Sequence, residues 1–207
     1  MQTYRSNMEG AFVTKYLRWY LLLIFVASSG CSVSGTNSSP RSILNLRVEL
    51  PLDETSTSVK CGSGFALSPK IIVTAMHVVA EGYGTIYVQG YLVVVESVQS
   101  FGEDGVILVV EALPPGVGIL AYNDYYQRGG DVQSAGYPVG ELLTYSTGIL
   151  TAPKYCSAEF QQGTSGGPVM HNGVVFGVVS AYMPELGVSR YEPLNIALLK
   201  ALIHGNG

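Results

Sequence analysis

Apolar and polar residues alternate from Ile43 to Leu50, the two-residue period of a strand with one buried face. Short β-branched or aromatic runs follow at 64–67, 71–73, 85–88, 91–95 and 106–110, punctuated by Gly, Pro, Asn or Ser. Pro114-Pro115-Gly116 interrupts this series and predicts a subdomain boundary. A second series covers 132–135, 142–145, 148–151, 169–170 and 174–181. Two stretches read as helical: a short turn at His77–Ala80, and Asn195–Ile203, which Gly205 ends. Many short strands at this spacing predict an all-β sandwich or a pair of barrels.

Composition narrows the function. Charged residues are 13% of the 207, hydrophobic residues 47%, and glycine occurs 25 times, which fits a folded, turn-rich chain. The net charge of −4, with no basic block after Arg18, opposes nucleic-acid binding. Residues 1–30 read as a signal peptide: Arg5, Lys15 and Arg18 precede the apolar run 19–27, which is shorter than the ~20 residues a membrane span needs. Without them 8 basic and 14 acidic residues remain, a net charge of −6. Ser28-Ser29-Gly30-Cys31 resembles a bacterial lipoprotein box, which implies lipidation of Cys31; ordinary cleavage nearby is the alternative, since Ser28 stands where an aliphatic residue is usual. The Ser/Gly/Asn-rich stretch up to residue 41 reads as a flexible tether. Export permits disulfides. Sequence alone leaves open whether Cys61 and Cys156 pair or stay as buried thiols. His and Cys are too few and too scattered for a metal site, and no cofactor is expected.

The densest chemical signal is Gly163-Thr164-Ser165-Gly166-Gly167-Pro168. Acyl transfer needs a nucleophile and two donors aimed at the oxyanion it creates, and a serine among glycines can supply both. A base is available in Thr74-Ala75-Met76-His77-Val78-Val79, where a histidine follows an apolar strand. An acid is available in Asp104, which enters the apolar strand 106–110; Glu103, one residue away, faces the other side.

These segments, with Gly62-Ser63-Gly64-Phe65, Gly136-Tyr137-Pro138 and Thr147-Gly148-Ile149-Leu150, resemble the chymotrypsin-like (trypsin-fold) serine proteases, nearest to bacterial HtrA-type peptidase domains without a PDZ module. The resemblance covers residues 42–204 and keeps the order His, Asp, Ser. It implies two antiparallel six-stranded β-barrels, one over 42–115 and one over 122–190, with a C-terminal helix over 191–204. It also implies a serine endopeptidase acting on protein or peptide substrates. Ser165 would be its nucleophile, His77 its general base and Asp104 the acid orienting His77. The amides of Gly163 and Ser165 would form the oxyanion hole. Glu159, six residues before Ser165, falls where a pocket-floor carboxylate for Lys or Arg side chains stands, and Ser180 and Tyr182 fall on the pocket-edge strand. Thr164 departs from the Asp or Asn usual before the nucleophile, so zymogen activation through an ion pair at that position is not expected.

Two rivals exist. Gly-x-Ser-x-Gly is also the nucleophile elbow of α/β-hydrolases, but that fold orders its triad Ser, acid, His and requires helices between its strands. A catalytically silent protease fold serving as a binding scaffold would keep the architecture without the activity.

Overall fold

The computed structural model describes residues 41–51, 56–79 and 84–205. The signal segment 1–30, Cys31 and all but the last residue of the tether therefore lie outside the described residues.

The alternation at the start of the chain becomes β1 (Ile43–Pro51), which buries Leu44, Leu46, Val48 and Leu50 on one face. It pairs antiparallel with β2 (Thr57–Ser68) and with β4 (Thr85–Val88). β2 continues to β3 (Ile71–Ala75), β3 to β7 (Gly105–Val110), and β7 to β6 (Val95–Phe101); β5 (Tyr91–Val93) pairs with β4. This gives a seven-stranded sheet in the order β5-β4-β1-β2-β3-β7-β6, where six strands were expected. The extra strand comes from a break in one run. β5 and β6 are separated only by Val94, so the two edge strands of the sheet are consecutive in the chain.

The second half forms a closed six-stranded barrel: β8 (Asp131–Gly136), β9 (Thr144–Ala152), β10 (Tyr155–Cys156), β11 (Pro168–His171), β12 (Val174–Met183) and β13 (Val188–Pro193), in the order β10-β13-β12-β11-β8-β9. β13 carries this barrel to Pro193, past the expected boundary at 190. The helix following it, α2 (Ile196–Gly205), starts later than expected for the same reason. Asn195 begins that helix, its Oδ1 accepting the Leu198 N–H at 3.0 Å, an ordinary N-cap.

Three apolar clusters explain why β3 and β7 are hydrophobic without alternation. Ile72, Val106, Leu108 and Val110 face the interior of the first sheet with Leu44 and Leu46. Ile71, Val73, Ile107 and Val109 face the second barrel, where Tyr137, Met170, Val178 and the helix residue Leu199 complete the core. The third cluster fills the second barrel around Leu150, Phe160, Phe176 and Tyr191. A strand buried on both faces needs apolar residues at every position.

The structure resolves the cysteine question. Cys61 is disulfide-bonded, and Cys156 is a free, buried thiol, so the two do not pair. Burial pushes the Cys156 thiol up to about 11. The thiolate is the reactive form. Iodoacetamide at mildly alkaline pH is therefore expected to leave Cys156 unmodified in the folded protein and to alkylate it in denaturant; rapid alkylation of the native protein would contradict this burial.

Candidate active site

His77 lies in α1 (Met76–Val79), a single turn that directly follows β3. Asp104 lies in the turn between β6 and β7. Register between β3 and β7 places Ala75 opposite Gly105, which brings that turn to the start of α1. The junction is tied three times. Met76 N–H donates to the Asp104 carbonyl at 2.6 Å, and His77 N–H donates to Asp104 Oδ1 at 3.1 Å. His77 Nδ1 lies 2.9 Å from Oδ2 and 3.0 Å from Oδ1. The carboxylate side chain is 14% exposed and the imidazole 50%. Burial alone would raise the Asp104 carboxyl. The hydrogen bond and charge of His77, joined by the Ser180 hydroxyl at 2.7 Å from Oδ2, outweigh burial and hold Asp104 below the usual carboxylate range. A proton on Nδ1 that faces this carboxylate leaves Nε2 as the ring's acceptor.

Ser165 sits in the loop between β10 and β11. Its carbonyl accepts the Ser63 N–H at 2.8 Å, and the next residue donates to the Val179 carbonyl at 2.8 Å. Gly166 has φ +85°, and a Cβ there would strike Ser63 O, Thr74 Oγ1 and Ala75 N. The serine loop is thus pressed against the middle of β2 and the end of β3 that leads into His77. No hydrogen bond joins Ser165 Oγ to His77 among the described residues. Catalytic contacts of this kind often tighten only when substrate is bound. Thr164 is buried, and its hydroxyl donates to the Gln161 carbonyl at 2.7 Å within the same loop.

Gly163 is another residue of that loop that cannot carry a side chain. Its φ is +90°, and a Cβ would strike Val139 N and Tyr137 O. Its carbonyl accepts Ser63 Oγ at 2.9 Å, and Ser63 Oγ in turn accepts the Tyr137 N–H at 2.8 Å. The carbonyl of Gln162 accepts the Val139 N–H at 3.2 Å, which turns the Gly163 N–H of the same peptide plane the opposite way. Among the described residues neither the Gly163 nor the Ser165 amide donates a hydrogen bond. Val139 holds its place with φ +53°, a strained conformation for a β-branched residue. Sequence reasoning missed Val139 and the coupling role of buried Ser63; only the positions of the Gly-Ser-Gly and Gly-Tyr-Pro segments pointed that way.

Of the three residues expected to shape a substrate pocket, Glu159 lies in the segment before the serine loop and Ser180 and Tyr182 lie on β12. Glu159 is exposed and lines a cavity of about 100 Å³ with Ser134, Tyr145, Gln161 and Thr164. Ser180 is buried and turns its hydroxyl to Asp104. Tyr182 is 38% exposed on β12, opposite Ser189. The substrate-pocket role of Glu159 is tested by profiling Glu159→Gln on a peptide library: loss of a Lys or Arg preference is the outcome that role requires, and an unchanged preference would remove it.

No family model matches the chain, and no curated protein matches it by sequence. Solved structures do. The active form of the Rv3671c protease from M. tuberculosis superposes with a TM-score of 0.63 at 26% identity, over 79% of this chain and 80% of that one. Its Ser343Ala inactive form gives 0.59 at 25%, over 81% and 88%. The serine endoprotease from Yersinia pestis gives 0.61 over 80% of this chain and 62% of that one; at 20% identity this likeness is one of fold. The chain has the trypsin-like double-barrel fold, and the solved proteins it resembles are bacterial serine proteases.

Proposed function

We propose that this protein is an exported serine endopeptidase in which Ser165, His77 and Asp104 act as a triad. The observation that carries the reading is the twofold approach of Asp104 to His77 Nδ1, which leaves Nε2 free to accept a proton. In the first step Ser165 Oγ bonds to the peptide carbonyl carbon while its proton moves to His77 Nε2. The tetrahedral oxyanion takes hydrogen bonds from the Gly163 and Ser165 amides. The C–N bond then breaks, and His77 returns the proton to the leaving amine. Water repeats the sequence on the acyl-enzyme, with His77 again taking and giving one proton. Asp104 stays ionised and supports the imidazolium.

The test is cleavage of an unfolded protein substrate, with new amino termini read by mass spectrometry. Wild type is expected to generate them and folded Ser165→Ala to generate none. Cleavage that survives in Ser165→Ala would assign the chemistry elsewhere. Gly163→Ala probes the oxyanion step. Its Cβ must displace the peptide that Val139 holds, so kcat is expected to fall about 10²- to 10³-fold, the usual effect of losing one oxyanion donor. Near-wild-type kcat would show that this amide is not used.

The location proposed is outside the cytoplasm. The 19–27 apolar run and a disulfide at Cys61 both suit an oxidising compartment. Membrane anchoring through a lipid on Cys31 is an alternative use of that residue, since a lipidated Cys31 sulfur is not available to the Cys61 disulfide. Mass spectrometry of the mature protein separates the two. A lipid-modified N-terminal Cys31 supports anchoring, and a Cys31–Cys61 cross-link overturns it.

A further inference from the structure

Four charged residues stand behind Asp104, and the triad chemistry makes no use of them. Arg190 and Glu192 are two apart on β13 and so share a face. Arg190 Nη2 donates to Ser180 Oγ at 3.2 Å, and Nη1 donates to Glu103 Oε2 at 3.1 Å. Glu192 is fully buried. Its Oε1 lies 3.4 Å from Arg190 Nη2 and its Oε2 lies 3.3 Å from Lys154 Nζ, yet neither oxygen accepts a hydrogen bond. Lys154 also donates to Glu103 Oε1 at 3.3 Å. A Cβ on Gly102 would meet Glu192 Oε2, so the buried carboxylate is packed against the turn that carries Asp104. The cluster thus ties residues 102–104 of the first barrel to β13 and Lys154 of the second.

Donor chemistry sets the direction of this network. A guanidinium only donates, and a hydroxyl has a single proton. Ser180 Oγ accepts from Arg190, so its own proton is directed to Asp104 Oδ2, 2.7 Å away. The charged groups around the Asp104–His77 pair are then Glu103, its neighbour in the chain, and Arg190, with Lys154 and Glu192 one contact further out. Only Glu192 of the four is buried; exposed ion pairs contribute little to stability, and a buried one is a weak stabiliser compared with apolar packing. Stability alone therefore does not account for the cluster's placement beside one carboxylate.

We propose that Arg190, seated by buried Glu192, is a positioning residue that fixes the Ser180 hydroxyl on Asp104, and that Glu103 and Lys154 complete a clamp holding the Asp104 turn against the second barrel. The proposal rests on Asp104 being the triad acid. Arg190 touches neither substrate nor reacting atoms; it acts through Ser180.

Arg190→Met keeps the length of the side chain and removes its charge and donors. One hydrogen bond to a charged group corresponds to a roughly 10- to 100-fold change, and that is the loss of kcat expected, with KM little changed. Loss of the cation and of the hydrogen bond to Asp104 both favour a protonated His77. The acid limb of the pH–rate profile is therefore expected to move to higher pH, a shift that mere destabilisation would not produce. In a Ser180→Ala background Arg190→Met is expected to have little further effect, because the path runs through that hydroxyl. If Arg190→Met does not fold because Glu192 is left buried without its partner, Arg190→Met with Glu192→Gln removes both charges and carries the same prediction. Unchanged kcat and pH profile, or effects that simply add to those of Ser180→Ala, would overturn the proposal. Modification of Ser165 by a fluorophosphonate in the wild type reports on the triad separately. Absence of labelling there would remove the underlying reading, while labelling with an indifferent Arg190→Met would remove only the positioning role.

Discussion

Ser165→Ala is expected to lower kcat by about 10⁶-fold with the fold intact. Only the side-chain oxygen is lost, and among the described residues that oxygen holds no hydrogen bond. The backbone contacts of the loop, Ser63 N–H to the Ser165 carbonyl and Gly166 N–H to the Val179 carbonyl, survive the change. Circular dichroism and thermal unfolding should therefore match wild type while turnover disappears. His77→Ala should cost a similar factor, and the double variant little more, because the groups act as a unit. A Ser165→Ala protein with a tenth of wild-type kcat would contradict this account of the chemistry.

Gly166→Val is expected to have the second largest effect, on stability and activity together. A left-handed backbone costs an L-residue about 1–2 kcal/mol, and overpacking adds about 1–3 kcal/mol. The clash here is with Ser63 O and Ala75 N, which are backbone, and with Thr74 Oγ1, whose hydroxyl donates to the Ser63 carbonyl at 2.6 Å. None of the three can swing aside cheaply. A loss of about 3 kcal/mol lowers Tm by roughly 10 °C in a domain of this size. Because the collision lies one residue from Ser165 and two from His77, activity should fall further than the folded fraction does. Wild-type Tm and kcat in Gly166→Val would show that the loop does not pack against β3 as described.

Much of the fold was legible because the chain carries its periodicity openly. β1 alternates, and β3 and β7 are unbroken apolar runs because both faces are covered. β6 and β13 were hidden for the opposite reason. β6 presents Glu96, Gln99 and Ser100 to solvent or near it. β13 carries Arg190 and Glu192 on the face opposite Tyr191, towards the Asp104 turn, where an apolar pair would have signalled a strand. The polar clamp and the missed strand are thus one feature.

The candidate site was legible where chemistry dictates residue type. Strand alternation was the ground for preferring Asp104 to Glu103, but both stand in the turn before β7, and it is the turn that points Asp104 to His77 and Glu103 to Lys154 and Arg190. Counting six residues back from Ser165 reaches Glu159, which lines a cavity with Gln161 and Thr164. The bond from Ser180 to Asp104, 76 residues apart in sequence, was not legible there. Contacts of that range leave no local pattern.

The central claim is that Ser165 is a nucleophile activated by His77 and Asp104. Intact-mass analysis after exposure to a fluorophosphonate tests it most directly, since the reagent requires an activated serine and no knowledge of the substrate. One adduct, on Ser165, is predicted for wild type, with none on Ser165→Ala and far slower labelling of His77→Ala. A folded wild-type protein that stays unmodified would contradict the claim and leave a protease fold without protease chemistry.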